Sequence, residues 1–259
     1  IQALVRPRQI SAQLAPSPLV LRMPRRKPRP VAEPKAGSTL RSFIVPDTQI
    51  GFWRDYRTGG LQPFHDRVAI DAALQSMATV KPERGDWLGD ALAGRLFWGG
   101  VRRMLDAMGC AHRPIRLIPG NHEERLVKAM MGTDAEEAID LRPVTKPHAP
   151  PLLSLASIIE ADEIGVEIAD PYPAGTTVWN SNVWAMHGDK VGKGKGGTVA
   201  KYLNDSPSMS VVFGHVHRVE MAWSTTHNTL GEREFMAWSP GCLCRLDRAV
   251  PSGESRNDW

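Results

Sequence analysis

Apolar residues in this chain come in short runs that stop at proline or glycine and give way to polar groups. Ser42-Phe43-Ile44-Val45 reads as a short buried strand ending at Pro46, followed by a polar loop. From about His65 to Val80 the apolar positions recur at helical spacing. Arg116 to Ile118, Val183 to Met186 and Val211 to Phe213 predict further strands. Val101 to Met108 and His122 to Met131 predict helices, and another is expected to open at Thr198. Past Val211, the segments Val219 to Ser224 and Glu234 to Trp238 read as strands with no helix between them, so an antiparallel C-terminal part is expected. Strands alternating with helices imply an α/β fold, here a layered sandwich of mixed β-sheets flanked by helices. Two stretches break the pattern. Ala91 to Gly100 mixes glycines with large apolar residues in no clear period and predicts an irregular join near Ala93, while Pro143 to Pro151 predicts a long surface loop.

The first 40 residues follow a different rule. Seven of the 21 prolines fall there, and Pro24-Arg-Arg-Lys-Pro-Arg-Pro30 can continue neither a helix nor a central strand. Residues 1–40 are therefore predicted to form an extended basic arm, and 41–259 one folded domain. Charge divides the same way. Residues 1–41 carry nine Lys or Arg against Glu33, so that a chain of net charge +4 has a tail of +8 on a body of −4. A basic tail suits a polyanion, which makes DNA or RNA the candidate partner. A plain solvated arm and an arm that docks on a second subunit are the alternatives.

With 42% apolar and 23% charged residues, the body belongs with globular rather than disordered or fibrous chains. The sequence has no run of eighteen apolar residues and no charged-then-apolar leader, so no membrane partner is expected and a cytoplasmic location follows. Three cysteines (Cys110, Cys242 and Cys244) are an odd number and imply no disulfide framework. The Cys242-Leu-Cys244 pair reads as buried core or strand cysteines in preference to metal ligands.

Groups able to bind metal fall at the ends of the apolar runs, where an α/β sheet presents its loops and gathers a site. Asp47 and Gln49 follow the first strand, Asp90 the second, and Asn121, His122 and Glu123 the third. His187 with Asp189, and His215 with His217, follow two more. Carboxylate, amide and imidazole together suit hard or borderline divalent ions and need no thiolate. Two such ions about 3.5 to 4 Å apart share a carboxylate, clamp a phosphate and make a bound water acidic near neutrality. Glycines before Asp90, Asn121 and His215 allow tight turns into the site.

Asp47-Thr-Gln49, Gly89-Asp90, Gly120-Asn121-His122-Glu123, His187 and Gly214-His215-Val-His217 occur in this order, with 31 residues from Asp90 to Asn121. Over residues 43–217 the chain thereby resembles the calcineurin-like metallophosphoesterases, a family with bacteriophage members. Their pattern is Asp-x-His, Gly-Asp, Gly-Asn-His-Glu, a lone His and Gly-His-x-His. The resemblance implies the calcineurin-like phosphoesterase fold, two divalent ions and hydrolysis of phosphate esters. By it, Asp47, Gln49, Asp90 and His217 would hold one ion and Asp90, Asn121, His187 and His215 the other, with Asp90 bridging. His122 would stand near the leaving oxygen as general acid or charge stabiliser. Mn²⁺ is the preferred ion, with Fe²⁺, Zn²⁺, Ni²⁺ or Mg²⁺ as alternatives, and a phage-encoded chain would work in the host cytoplasm. The chain departs from the pattern twice. Gln49 stands where the family has His, and Ala93 where a second Asp often follows Gly-Asp.

Several positions have two readings. Asp86 competes with Asp90 for the bridging role, and Asp90 is preferred because Trp87-Leu-Gly89 reads as the strand end and Asp86 as a preceding turn. The glycine-lysine loop from Gly192 to Thr198 lacks P-loop spacing. Lys193 and Lys195 within it, and Arg125 one turn beyond Asn121, are candidate contacts to substrate phosphate, with a simple connector as the alternative for the loop. Trp87, Trp184 and Trp238 read as core, whereas Trp53 and Trp98 are candidate stacking platforms for a base. A phosphodiesterase or nuclease is the leading function. A phosphomonoesterase acting on a phosphoprotein or small metabolite is the alternative, followed by a scaffold with a degenerate site.

Overall fold

Four short strands build the first sheet. The chain runs β1 (Ser42–Val45), a hairpin of β2 (Phe52–Arg54) and β3 (Leu61–Pro63), α1 (Arg67–Val80), β4 (Arg84–Trp87), α2 (Arg95–Ala107), β5 (Ile115–Leu117) and α3 (Asn121–Met131). It continues through α4 (Leu155–Ile159), α5 (Ala161–Ile164), β6 (Val166–Ile168), β7 (Thr176–Trp179), β8 (Val183–Met186), α6 (Gly197–Asp205), β9 (Ser210–Phe213), β10 (Val219–Asn228) and β11 (Gly231–Pro240). This computed structural model describes residues 41–49, 52–54, 57–89, 95–107, 109, 114–131, 150–151, 154–179, 182–206, 209–228 and 231–246. The expected arm (1–40), Asp90, the suspected join at Ala93, Cys110 and most of the Pro143 to Pro151 loop lie outside them.

The first sheet has the order β1-β4-β5-β6 and is parallel throughout. Val45, Trp87, Ile115 and Leu117 on one of its faces pack against Met77 of α1, Trp98, Val101 and Leu105 of α2, and Ile159 and Ile164 of α4 and α5. Just beyond the strands, Leu88 and Ile118 meet Ala185 and Val212 of the second sheet. That sheet has the order β10-β11-β9-β8-β7, with β8, β9 and β11 mutually parallel and an antiparallel strand at each edge. Val199 and Tyr202 of α6 cover its outer face against Val211, Phe213 and Ala237. The layers are thus helices, parallel sheet, mixed sheet and one helix, an α/β sandwich flanked by helices as the alternation implied. β10 and β11 form the expected antiparallel pair, but β11 returns parallel to β9, so the C-terminal part is mixed rather than antiparallel.

Three local expectations need correction. α2 runs straight through Gly99 and Gly100, because burial of Trp98, Val101 and Leu105 at helical spacing outweighs a cost of about 1 kcal/mol per glycine. Trp98 is fully buried and lies edge-on to Trp87 with ring centroids 5.3 Å apart, which removes it as a stacking platform for a base. Asp86 is not in a turn. It sits inside β4 opposite Ile44, and its carboxylate accepts from the Ser42 hydroxyl and from Arg84 Nε at 2.7 Å. Burial pushes the Asp86 carboxyl above its ordinary pKa, against the pull of Arg84 and Ser42. Among the described residues no helix is long and apolar enough to cross a membrane.

Candidate functional site

Because the parallel strands of both sheets point the same way, their C-terminal ends open onto one edge of the sandwich. Asp47 follows β1, Asn121 follows β5 and begins α3, His187 is the first residue past β8, and His215 lies two residues past β9. Two glycines make the approach close enough. A Cβ on Gly89, whose φ is +87°, would run into the His187 ring and the Gly120 nitrogen, and one on Gly214 would come within 2.6 Å of Asp47 Oδ2.

Asp47 is fully buried at the centre of this cluster. Its Oδ2 accepts the backbone N–H of His215 at 2.7 Å, and its Oδ1 lies 3.2 Å from His187 Nδ1. The same Nδ1 faces the carbonyl of Leu88. These two contacts fix the orientation of the ring and leave Nε2 as its outward nitrogen. Nε2 lies 3.0 Å from Asn121 Oδ1. A hydrogen bond accounts for this distance, which is also the spacing of about 3.0 Å between adjacent ligands on an octahedral ion with bonds of about 2.1 Å. The rings of His187 and His215 are 5.2 Å apart, and Gln49 Nε2 lies 3.3 Å from His217 Nε2. Asp47, Asn121, His187 and His215 are thus linked by direct contacts, and Gln49 and His217 form a second pair; residues of these types suit borderline divalent ions.

Backbone strain marks the same residues. Among the described residues, five non-glycine positions have positive φ: Gln49 (47°), Lys81 (47°), Glu160 (52°), His215 (69°) and His217 (53°). Lys81 and Glu160 end α1 and α4, where a left-handed residue is ordinary. Gln49, His215 and His217 end no helix, and each left-handed conformation costs roughly 1 to 2 kcal/mol. Strain of this kind persists where surrounding structure holds it, which is characteristic of functional sites.

The remaining expected residues are distributed around this cluster. Asp90 is outside the described residues. His122 is half-buried beside Asn121 on the first turn of α3. Glu123 has a structural task, for its Oε2 accepts the Gly120 N–H at 2.8 Å and caps that helix. Arg125, Lys193 and Lys195 are exposed. The loop bearing the two lysines is closed by Gly192 N–H donating to Thr198 Oγ1 at 2.9 Å, and Lys190 at its base pairs with Asp205. Asp189 holds its N–H 2.9 Å from the Tyr202 hydroxyl, whose pKa burial pushes up.

Sequence reasoning missed Tyr172, and it read Cys242 and Cys244 correctly as buried but not as neighbours of His217. Tyr172, beyond β6, stands edge-on to His187 with centroids 5.7 Å apart. A three-residue strand gives too short an apolar run to announce its loop as part of the site. Cys242 and Cys244, in the loop after β11, lie with His217 so that one ligand atom from each falls within 4.8 Å of the others, all three residues buried. Cys244 donates to Cys242 across 3.1 Å, which lowers the Cys242 thiol pKa, and that bond together with burial raises the pKa of Cys244. In comparisons with known proteins, no family model and no curated protein matches this chain.

Proposed function

We propose that this chain is a dinuclear metal-dependent phosphoesterase with the calcineurin-like fold, acting on phosphodiesters and on nucleic acid in particular. The observation that carries the reading is buried His187, with Nδ1 fixed by Leu88 and Asp47 and Nε2 turned to Asn121 Oδ1 at 3.0 Å. Asp47, Gln49, Asp90 and His217 would hold one ion, and Asp90, Asn121, His187 and His215 the other. When bound, such a pair polarises the phosphate and makes a water acidic enough to attack near neutral pH.

The protein's own groups do the rest. Asp47 and the Leu88 carbonyl lie against His187 Nδ1 and orient the ring so that Nε2 is the nitrogen presented to Asn121. His122, next to Asn121, donates a proton to the departing oxygen or stabilises its charge. Exposed Arg125, Lys193 and Lys195 draw a phosphodiester backbone toward the strand ends. These cations and the basic arm favour a diester over a monoester. The strain retained at Gln49, His215 and His217 favours a working site over an inert scaffold.

The test is hydrolysis of bis-p-nitrophenyl phosphate, p-nitrophenyl phosphate and labelled single- and double-stranded DNA by purified protein with Mn²⁺. Cleavage of the diester and DNA is expected. Cleavage of the monoester alone would transfer the reading to a phosphomonoesterase. No metal-dependent cleavage of any of them would defeat it.

A further inference from the structure

The loop after β11 brings a chemistry that the oxygen and imidazole ligands lack. Residues i and i+2 of an extended strand share a face but stand about 6.6 Å apart. Cys242 and Cys244 instead converge to a sulfur separation of 3.1 Å, well beyond the ~2.05 Å of a disulfide. One ring nitrogen of His217 joins them within 4.8 Å, and none of the three residues is more than 4% exposed. The loop is fastened to the site, since Leu243 donates its N–H to the Asp47 carbonyl at 3.0 Å and accepts from Asp66 N at 3.1 Å. Gln49 approaches His217 from its own loop at 3.3 Å.

We propose that His217, Cys242 and Cys244 together hold a borderline divalent ion, Zn²⁺ fitting best, at the edge of the cluster where Gln49 stands. Tetrahedral zinc with Zn–S bonds of about 2.3 Å places two sulfurs about 3.8 Å apart, so the pair has to part by only about 0.7 Å. Binding displaces two thiol protons to solvent, and the resulting thiolates supply the negative charge that the neutral Gln49 amide does not. The inference rests on the phosphoesterase reading only in giving this ion the position assigned there to Asp47, Gln49 and His217. Thiolate ligation also gives the centre two unlike ions, a thiophilic one here and an oxygen-preferring one toward Asn121 and His187.

The experiment needs no substrate. Reduced, metal-stripped full-length chain is titrated with Co²⁺ and followed for sulfur-to-cobalt charge-transfer absorption, and Zn²⁺ is then added to displace it. Absorption that is lost in the Cys242→Ser/Cys244→Ser double variant and kept in Cys110→Ser is expected, with Zn²⁺ affinity about a hundredfold or more weaker in the double variant. Circular dichroism confirms that each variant is folded. Should the double variant fail to fold, alkylation of the wild type decides, because Zn²⁺ must then protect Cys242 and Cys244 selectively. Cobalt bound without sulfur absorption, absorption surviving the double substitution, or equal alkylation with and without Zn²⁺ would overturn the proposal. Mn²⁺-dependent diester hydrolysis persisting in that case would leave the phosphoesterase reading intact. Sulfur absorption without any hydrolysis would do the reverse.

Discussion

Asp47 accepts the backbone N–H of His215 at 2.7 Å, a bond that ties the loop after β1 to the loop after β9 and so joins the two sheets. The same carboxylate lies 3.2 Å from His187 Nδ1, so one buried group positions two imidazoles. Asp47→Ala should therefore cost about 2 to 3 kcal/mol in urea unfolding, the range for a hydrogen bond to a charged acceptor. Divalent-metal affinity should fall with it. Asp47→Asn, which keeps an acceptor oxygen, should cost less stability. Full metal affinity in a folded Asp47→Ala variant would contradict this role.

Gln49 pays for its place with a φ of 47°. Both Gln49→Gly and Gln49→Ala remove the side chain, but only glycine is at ease in the left-handed region. The glycine variant should be the more stable by about 1 to 2 kcal/mol, the reverse of the order in a helix. Calorimetric titration of the wild type should show two unequal metal affinities, and Gln49→His should tighten the weaker one. Equal affinities untouched by that substitution would show that Gln49 is no ligand.

Asp86 and Asp90 should separate cleanly. Asp86 is committed to Ser42 and Arg84, and deleting it leaves a largely buried guanidinium without its carboxylate. Asp86→Ala should cost about 3 kcal/mol by denaturant unfolding, since breaking a buried pair by removing one partner is strongly destabilising. Hydrolysis per folded molecule should survive. Asp90→Asn should do the opposite, keeping stability and losing turnover by about a hundredfold or more, as for loss of a charge-stabilising group in the centre.

The raised pKa of Asp86 carries a pH signature. Its folded value lies above the ordinary carboxylate value, so between the two the folded chain holds a proton that the unfolded chain has released. Its contribution is therefore fully present below the ordinary value and is lost as pH rises through the raised one. Asp86→Asn should flatten that part of the stability profile measured by chemical denaturation across acidic pH. An unchanged profile would show that Asp86 titrates normally.

Strand ends were legible because each apolar run is closed by Pro46, Gly89, Pro119-Gly120, Gly188 or Gly214 directly beside a polar group. That local punctuation located Asp47, Asn121, His187 and His215 before any fold was known, and the fold brings these four together. Asp86 was misread because a carboxylate inside a strand looks like a turn until its partners are seen. Ser42 is 44 residues away in sequence. Gly99-Gly100 hid a helix because propensity is local, whereas the burial that overrides it comes from Trp87, Ile115 and the rest of the first sheet. The thiols were set aside for the same reason. No spacing rule connects Cys242 to His217 across 25 residues, and only the parallel return of β11 beside β9 brings their loops together.

Deleting residues 1–40 should weaken DNA binding equally across sequences, because lysine and arginine contacts to phosphate carry no base information. Each lost contact should remove about 0.9 from the slope of log affinity against log salt on duplex DNA. Turnover of a small chromogenic diester should barely change. Unchanged affinity and salt slope would move the arm from nucleic acid to a second subunit or another protein.

The central claim is that His187 and Asn121 face each other in order to share a metal ion. Its most direct measurement is the rate of bis-p-nitrophenyl phosphate hydrolysis against Mn²⁺ concentration for wild type, His187→Ala and Asn121→Ala, each shown to be folded by circular dichroism. The account predicts saturable Mn²⁺ dependence in the wild type, no turnover after chelation, and turnover reduced about a hundredfold or more in both variants even at saturating metal. Hydrolysis that is indifferent to chelation, or variants that keep more than about a tenth of wild-type turnover, would contradict it.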